Sequence, residues 1–176
     1  PEQGRPADEL LDEIAVTVLP WPLGNGHPRW AGWVNGPPSP VAVLTDALAT
    51  AMNPSVAGGN HAATYVEKQV VRWLGELLGL PGWGGLLVSG GSAATVHALA
   101  AARHRATGGT VRDAGLDQAT APLTVYASDQ AHSAVAKAVE LLGLGAAALR
   151  VLPADRDRRL PVDALAAALA TDRERG

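Results

Sequence analysis

The feature that most constrains the fold is an apolar run that breaks at two glycines and then passes into an alanine-rich helical pattern. It spans residues 86–103 and reads LLVSGGSAATVHALAAAR. Two further apolar runs of strand length, over residues 123–127 and 148–152, alternate with helical patterns in the second half of the chain. Because strands joined by helical crossovers form parallel sheets covered by helices, the sequence predicts an α/β fold with a mostly parallel sheet.

The remaining elements follow from local start and stop signals. Ser39 and Pro40 are typical of an N-cap followed by proline at the first helical position, and Thr64 and Glu67 have the spacing of a capping box. Helices are predicted over residues 7–19 and 40–52, from 64 to a stop at Gly79, and over 92–106, 133–142 and 162–171, with strands over 85–89, 123–127 and 148–152. We therefore expect a segment of helices and loops over residues 1–60 and the first, incomplete part of an α/β domain over 61–176.

Composition excludes several classes of function. The net charge of −3 provides no basic surface for nucleic acid, and no apolar run is long enough to span a membrane. The sequence has no cysteine, which excludes disulfides and thiolate chemistry and fits a reducing, cytoplasmic location, and no spacing of histidines indicates a metal site. Since the chain begins at Pro1 rather than Met and ends at Gly176 in a charged segment, we expect it to be a fragment of a longer protein.

The glycine turn after residue 89 leaves two interpretations open. A P-loop needs Lys-Ser/Thr after its glycines and a dinucleotide fingerprint needs G-x-G-x-x-G, so neither motif is present. In the first interpretation the glycines make a tight turn and Ser92 is only an N-cap. In the second, Gly90, Gly91 and Ser92 bind an anion at the N-terminus of a helix, beside the carboxyl end of a parallel strand.

A histidine follows the next predicted strand by a short loop. The segment 123–133 reads LTVYASDQAHS, which places His132 at the carboxyl edge of the predicted sheet, where its loop and the glycine turn can converge on one ligand. Asp129 either orients the imidazole or caps the next helix together with Ser133. The alternative is that His132 is a surface or capping residue without a ligand.

Four segments carry a further signal when they are taken in order. They are HPRWAGWV (27–34), NPSVAGGNHAATYVEKQVVRWLGELLGLP (53–81), GGLLVSGGSAATVHALAAAR (84–103) and VYASDQAHSAVAKAVELLG (125–143), and LPADRDRRLPVDALAAAL (152–169) continues the pattern. In this order they resemble the group II pyridoxal-phosphate-dependent amino-acid decarboxylases, the family of the aromatic amino-acid and glutamate decarboxylases. The resemblance implies an aspartate-aminotransferase-like (fold type I) large domain and a homodimer, with residues 1–60 at the dimer interface and the substrate entrance.

The resemblance also implies which residues bind the cofactor, pyridoxal 5'-phosphate. The glycine–serine turn of the family binds the cofactor phosphate, and it maps to Gly91 and Ser92 with Gly90 adjacent. The histidine that stacks on the pyridine ring maps to His132, which is the catalytic residue implied for this chain.

The substrate residues are implied in the same way. The aromatic position that borders the substrate in the family maps to Trp33, with Val34 beside it. A loop that reaches toward a substrate pocket, often that of the partner subunit, carries Gly58, Gly59, Asn60 and His61.

The groups that complete this chemistry are implied to lie outside the chain. The family needs a lysine that forms the Schiff base and an aspartate beside the pyridine nitrogen, both in a downstream segment, and neither Lys68 nor Lys137 has that setting. We therefore expect a portion of a decarboxylase that converts an amino-acid substrate to CO2 and an amine, inactive without the remainder of the chain. Two alternatives stay open: another fold type I enzyme, either a lyase or an aminotransferase, and an inactive pseudo-enzyme or assembly module.

Overall fold

The computed structural model describes residues 3–55, 59–116 and 122–175 of the chain. The chain divides into two compact units, Pro1–Val66 and Glu67–Gly176. The boundary expected after residue 60 stays a prediction, and Gly58 lies outside the described ranges. Within those ranges, no helix is long and apolar enough to cross a membrane.

The first unit contains two complete helices joined by a long loop. Helix α1 spans Ala7–Thr17 and helix α2 spans Pro40–Met52. The Ser39 side chain accepts a hydrogen bond from the N–H of Ala42 at 3.2 Å, and Pro40 occupies the first position of the helix. The N-cap and the proline predicted from the sequence are confirmed, because both act only on backbone groups of the first helical turn.

Helix α3 spans Ala62–Leu77 and begins earlier than the sequence predicts. Thr64 therefore lies inside the first turn, and its buried hydroxyl has no hydrogen-bond partner among the described residues. Glu67 does not reach back to the start of the helix, since its Oε1 accepts from the N–H of Leu87 at 3.0 Å. The predicted capping box is wrong, because Glu67 bonds to a backbone group 20 residues away.

The second unit is a strand–helix–strand arrangement preceded by a long helix. Helix α4 spans Gly91–Ala106, α5 Val111–Ala114, strand β1 Val125–Ser128, α6 Ala134–Leu141, β2 Leu149–Leu152 and α7 Val162–Arg175. Strands β1 and β2 pair in parallel, with Val125 opposite Leu149 and Ser128 opposite Leu152. The predicted α/β class with a parallel sheet is therefore confirmed.

The strand predicted over residues 85–89 is wrong, because residues 83–88 form no regular element. Leu86 and Leu87 are 60% and 52% exposed, and the N–H of Leu87 is bonded to the Glu67 side chain rather than to a strand. An apolar run indicates that a segment suits a sheet, but a strand exists only where a neighbouring strand bonds to it. Within the described ranges, the two strands pair with each other.

Among the residues that the structure describes, the most deeply buried side chains of the second unit lie on α6. Ala134 is 6% exposed and Ala138 and Val139 are 0% exposed, and α6 packs against α4. Ala134 and Ala138 are about one helical turn apart, so they share a face on which small side chains permit a neighbouring helix to approach closely. This packing holds the crossover between the two strands in place.

The strand register also aligns Tyr126 of β1 with Arg150 of β2. Both side chains bond to Asp172 of α7: the Tyr126 hydroxyl donates to Asp172 Oδ2 at 2.7 Å, and Arg150 Nε donates to the same oxygen at 3.2 Å. The hydrogen bond from Tyr126, helped by Arg150, holds the pKa of Asp172 below its usual value, and the same bond to Asp172 raises the pKa of Tyr126. This cluster joins α7 to both strands.

Replacing Asp172 by asparagine tests whether this cluster stabilises the unit. Because the pKa of Asp172 is lowered in the folded protein, its carboxylate stabilises the fold above the unfolded pKa of about 3.9, and this contribution is lost as the pH falls through the folded value. We expect Asp172→Asn to lower the free energy of unfolding at neutral pH, and the difference from the wild type to shrink below about pH 4. Urea unfolding across this range measures both quantities, with Glu174→Gln on the same exposed helix end as the control. A difference that is independent of pH would contradict the role of the carboxylate charge.

Candidate functional site

The turn before α4 has a backbone conformation that favours glycine. Gly90, the N-cap of α4, has φ 153° and ψ 176°, a region that residues with side chains rarely occupy. A Cβ atom at Gly90 or Gly91 would meet no other atom within 4 Å. The turn therefore combines a required glycine with open space at the start of a helix.

Ser92 is the second residue of α4, so the interpretation of Ser92 as an N-cap is wrong. The first internal bond of the helix runs from the N–H of Ala94 to the carbonyl of Gly90 at 3.0 Å. By the geometry of an α-helix, the N–H groups of Gly91, Ser92 and Ala93 have no acceptor within the helix, and they form the positive end of its dipole. With the exposed Ser92 hydroxyl, they make a donor set that suits an anionic group such as a phosphate.

The ring of His132 caps the next helix, α6. Its Nδ1 accepts a hydrogen bond from the N–H of Ala134 at 3.1 Å, whereas the Ser133 side chain makes no capping bond. A ring nitrogen that accepts a hydrogen bond carries no proton, so the neutral imidazole carries its proton on Nε2. His132 is also exposed, so a flat ligand can reach its ring.

Among the described residues, Asp129 forms no direct hydrogen bond to the His132 ring or to the start of α6. Its Oδ1 accepts from the N–H of Ala154 at 3.1 Å, and its own N–H donates to the carbonyl of Leu152 at 2.9 Å. These bonds link the loop after β1 to the segment after β2. His132 therefore follows the carboxyl edge of the sheet as predicted, whereas the glycine turn follows no strand in the described structure. Convergence of the two loops on one ligand stays a prediction.

The aromatic loop of the first unit contains an unusual backbone conformation at Trp33. Its φ of 43° is uncommon for a bulky residue, and its side chain is 82% exposed, beside a fully exposed Val34. The neighbouring Trp30 is packed instead, since a Cβ atom at Gly32 would lie 2.9 Å from its ring. Backbone strain at an exposed aromatic residue of a loop is typical of a binding site.

Asn60 and His61 make contacts within the first unit. Asn60 Oδ1 accepts from the hydroxyl of Tyr65, and the His61 Nε2 bonds to the carbonyl of Ser55. Thus the implied substrate residues belong to the unit Pro1–Val66, and the implied cofactor residues belong to the unit Glu67–Gly176. The roles of both groups stay predictions.

The two lysines of the chain lie on exposed helical positions, Lys68 on α3 and Lys137 on α6. In the described part of the chain, no group of three or more His, Asp or Glu side chains could hold a metal ion.

The chemistry of two groups in the second unit fits two parts of pyridoxal phosphate. The N–H groups and hydroxyl at the start of α4 suit its phosphate, and the exposed imidazole of His132 suits the face of its ring.

Comparison with known sequences matches the whole chain to one family. The family model described as "Pyridoxal-dependent decarboxylase conserved domain" matches residues 1–176. The aromatic-L-amino-acid decarboxylase of Bacillus atrophaeus is 32% identical over 100% of this chain and 35% of that protein. The histidine decarboxylase of Mus musculus is 31% identical over 100% of this chain and 28% of that protein, and the phenylacetaldehyde synthase of Arabidopsis thaliana is 29% identical over 100% and 37%. The chain thus spans about a third of the length of these relatives.

Solved structures of similar proteins share the fold over nearly the whole chain. The glutamate decarboxylase domain of a diaminobutyrate-pyruvate transaminase and L-2,4-diaminobutyrate decarboxylase from Vibrio parahaemolyticus superposes with a TM-score of 0.88 at 26% identity, covering 99% of this chain and 39% of that one. Oryza sativa TDC with PLP and tryptamine superposes with a TM-score of 0.80 at 27% identity, covering 100% and 40%. This likeness confirms the expected partial fold type I architecture.

Gly90→Ala and Gly91→Ala form a matched pair that tests the geometry of the turn. A methyl group meets open space at both positions, so any difference reports the backbone rather than a clash. We expect Gly90→Ala to lower the free energy of unfolding by about 1–3 kcal/mol, because its φ and ψ are unfavourable for alanine. Gly91→Ala should raise it by up to about 1 kcal/mol, because alanine favours the helix. Urea unfolding measures both values, and equal effects would contradict the assigned conformation.

Proposed function

The chain belongs to the pyridoxal-dependent decarboxylase family, and we propose that the complete protein uses pyridoxal phosphate to remove the α-carboxylate of an amino acid as CO2 and release an amine. The match of the family model over residues 1–176 supports this reaction. The structural observation that carries it is the donor set at the start of α4, where three N–H groups have no acceptor within the helix and Ser92 is exposed. A cofactor with a phosphate group is the ligand that such a turn suits.

In this proposal the residues of the glycine turn hold the cofactor phosphate. The N–H groups of Gly91, Ser92 and Ala93 donate to its oxygens, the Ser92 hydroxyl adds a further donor, and Gly90 gives the turn its required conformation. The positive end of the α4 dipole favours the charge of the phosphate. When bound, the pyridine ring of the cofactor takes up the electron pair released as the bond between Cα and the carboxylate breaks.

His132 has the role of contacting the flat face of the cofactor ring. Its Nδ1 is bonded to the N–H of Ala134, so the ring has a defined orientation relative to α6 and holds its proton on Nε2. We propose that the substrate is contacted by Trp33 and Val34, which are exposed on the aromatic loop, together with Asn60 and His61. The bonds that Asn60 and His61 make to Tyr65 and Ser55 would fix their positions.

The partners proposed for this chain are the remainder of the decarboxylase, which would carry the Schiff-base lysine, and a second copy of the protein. Helix α2 presents an apolar stripe formed by Val41, Leu44, Leu48 and Met52, which are between 63% and 68% exposed and share one face. An exposed stripe of this kind suits a homodimer interface. We also propose a cytoplasmic location, because the sequence contains no cysteine and disulfides are rare in the reducing cytosol.

One relative favours a second reaction type. The chain is similar to a protein named phenylacetaldehyde synthase. An aldehyde, formed with release of CO2 and ammonia and with consumption of a two-electron oxidant such as dioxygen, is therefore an alternative product to an amine. An aminotransferase or another lyase of fold type I, and an inactive pseudo-enzyme or assembly module, are the further alternatives. The enzymatic alternatives would form different products, and the pseudo-enzyme or assembly module would form none.

A pair of ligands tests whether the glycine turn binds the phosphate. In the complete protein, we expect Ser92→Ala to weaken the binding of pyridoxal phosphate about tenfold or more, because a hydrogen bond to a charged group is lost. The same variant should bind pyridoxal, which has no phosphate, as the wild type does. Thr95→Val is the control, since the Thr95 hydroxyl already donates to the Gly91 carbonyl within the helix at 2.9 Å. An equal loss for both ligands would show that Ser92 does not contact the phosphate.

Carboxyl-labelled amino acids test the reaction type. With pyridoxal phosphate, the complete protein should release labelled CO2 and an equal amount of amine from at least one amino acid. Residues 1–176 alone should release none, because neither Lys68 nor Lys137 has the expected setting of the cofactor lysine. Release of an aldehyde would favour the second reaction type, an oxo acid with no CO2 would favour an aminotransferase, and no product from any amino acid would favour the pseudo-enzyme.

A further inference from the structure

The loop that carries His132 is fixed at its upstream end by Asp129. The regular pairing of β1 and β2 ends where Ser128 lies opposite Leu152. Asp129 extends it by one bond, since its N–H donates to the Leu152 carbonyl at 2.9 Å, and its Oδ1 then accepts from the N–H of Ala154 at 3.1 Å. The side chain thus continues the link between the two chain segments beyond the end of the sheet.

The downstream end of the same loop is fixed by the start of α6. His132 Nδ1 accepts from the N–H of Ala134 at 3.1 Å, and the His132 carbonyl accepts from the N–H of Val135 at 3.0 Å. Because His132 is exposed, hydrogen bonds rather than close packing define the direction of its ring. The position of the ring therefore depends on both ends of a short loop.

We propose that Asp129 is a positioning residue, whose carboxylate bond to Ala154 holds the loop so that His132 keeps its Nδ1 on the N–H of Ala134 and its proton on Nε2. This inference rests on the proposed function, in which the His132 ring contacts the cofactor. What the position requires is an acceptor oxygen, because both donors to Oδ1 are uncharged: the backbone N–H of Ala154 and the Gln130 side-chain amide at 3.2 Å. Asparagine retains that acceptor and alanine does not, so the two substitutions separate the hydrogen bond from the side chain's charge.

Hydrogen exchange and cofactor binding in the complete protein test this role. In Asp129→Ala, we expect the amide of Ala134 to exchange about five- to tenfold faster, because its bond to His132 forms less often, while the amide of Val139 in the middle of α6 is unchanged. The dissociation constant for pyridoxal phosphate should rise by a similar factor. Asp129→Asn should restore both values, and Asp157→Ala, which removes an exposed carboxylate from the segment that follows β2, should alter neither.

A second variant removes the donor instead of the acceptor. Ala154→Pro eliminates the N–H that bonds to Asp129, and it should reproduce the faster exchange at Ala134 if Asp129→Ala does not fold. Wild-type exchange at Ala134 in Asp129→Ala, or failure of Asp129→Asn to restore it, would overturn the inference. Faster exchange throughout α6 would also overturn it, since it indicates a general loss of structure. If the wild type does not bind pyridoxal phosphate, the proposed function fails, and the exchange of Ala134 still decides the role of Asp129.

Discussion

The parallel pairing of β1 with β2 is the constraint on which the second unit depends. Its register places Tyr126 beside Arg150 and Ser128 opposite Leu152. The first alignment lets one carboxylate on α7, Asp172, accept hydrogen bonds from both strands. The second brings the segments after the two strands to the same edge, close enough for Asp129 to bond to Ala154. A shift of register by one residue would turn Tyr126 to the opposite face of the sheet and break the cluster.

Local signals predicted those parts of the fold whose causes are local. Ser39 and Pro40 start α2 where the sequence indicates, because a cap acts on the N–H groups of its own first turn. The capping box failed because Glu67 bonds to Leu87, and the strand over residues 85–89 failed because pairing requires a second segment. Both errors come from partners that are distant in sequence, which hydrophobic spacing does not reveal.

The candidate site shows the same division. Gly90 could be predicted, because its φ of 153° requires glycine and the motif around it is local. The role of Ser92 could not be decided, since an N-cap and a helical residue differ by where the helix begins. The bond between Asp129 and Ala154 joins residues 25 apart, and the cap formed by His132 depends on the direction of one ring. The sequence therefore indicates candidate residues for the site, but it does not indicate the hydrogen bonds that hold them.

The two tasks expected of the complete protein need different kinds of groups. Holding a phosphate requires hydrogen-bond donors that are fixed in space, and a helix N-terminus provides them from consecutive backbone groups of one element, α4. Bond cleavage requires a reacting amine and an acid beside the pyridine nitrogen, and neither group can be replaced by backbone N–H groups. The family resemblance implies both of these groups in a later segment, whereas the helix donors of Gly91–Ala93 and the His132 cap are complete within the second unit. The proposed phosphate recognition therefore needs only local groups of this chain, whereas the proposed reaction needs groups of a longer protein.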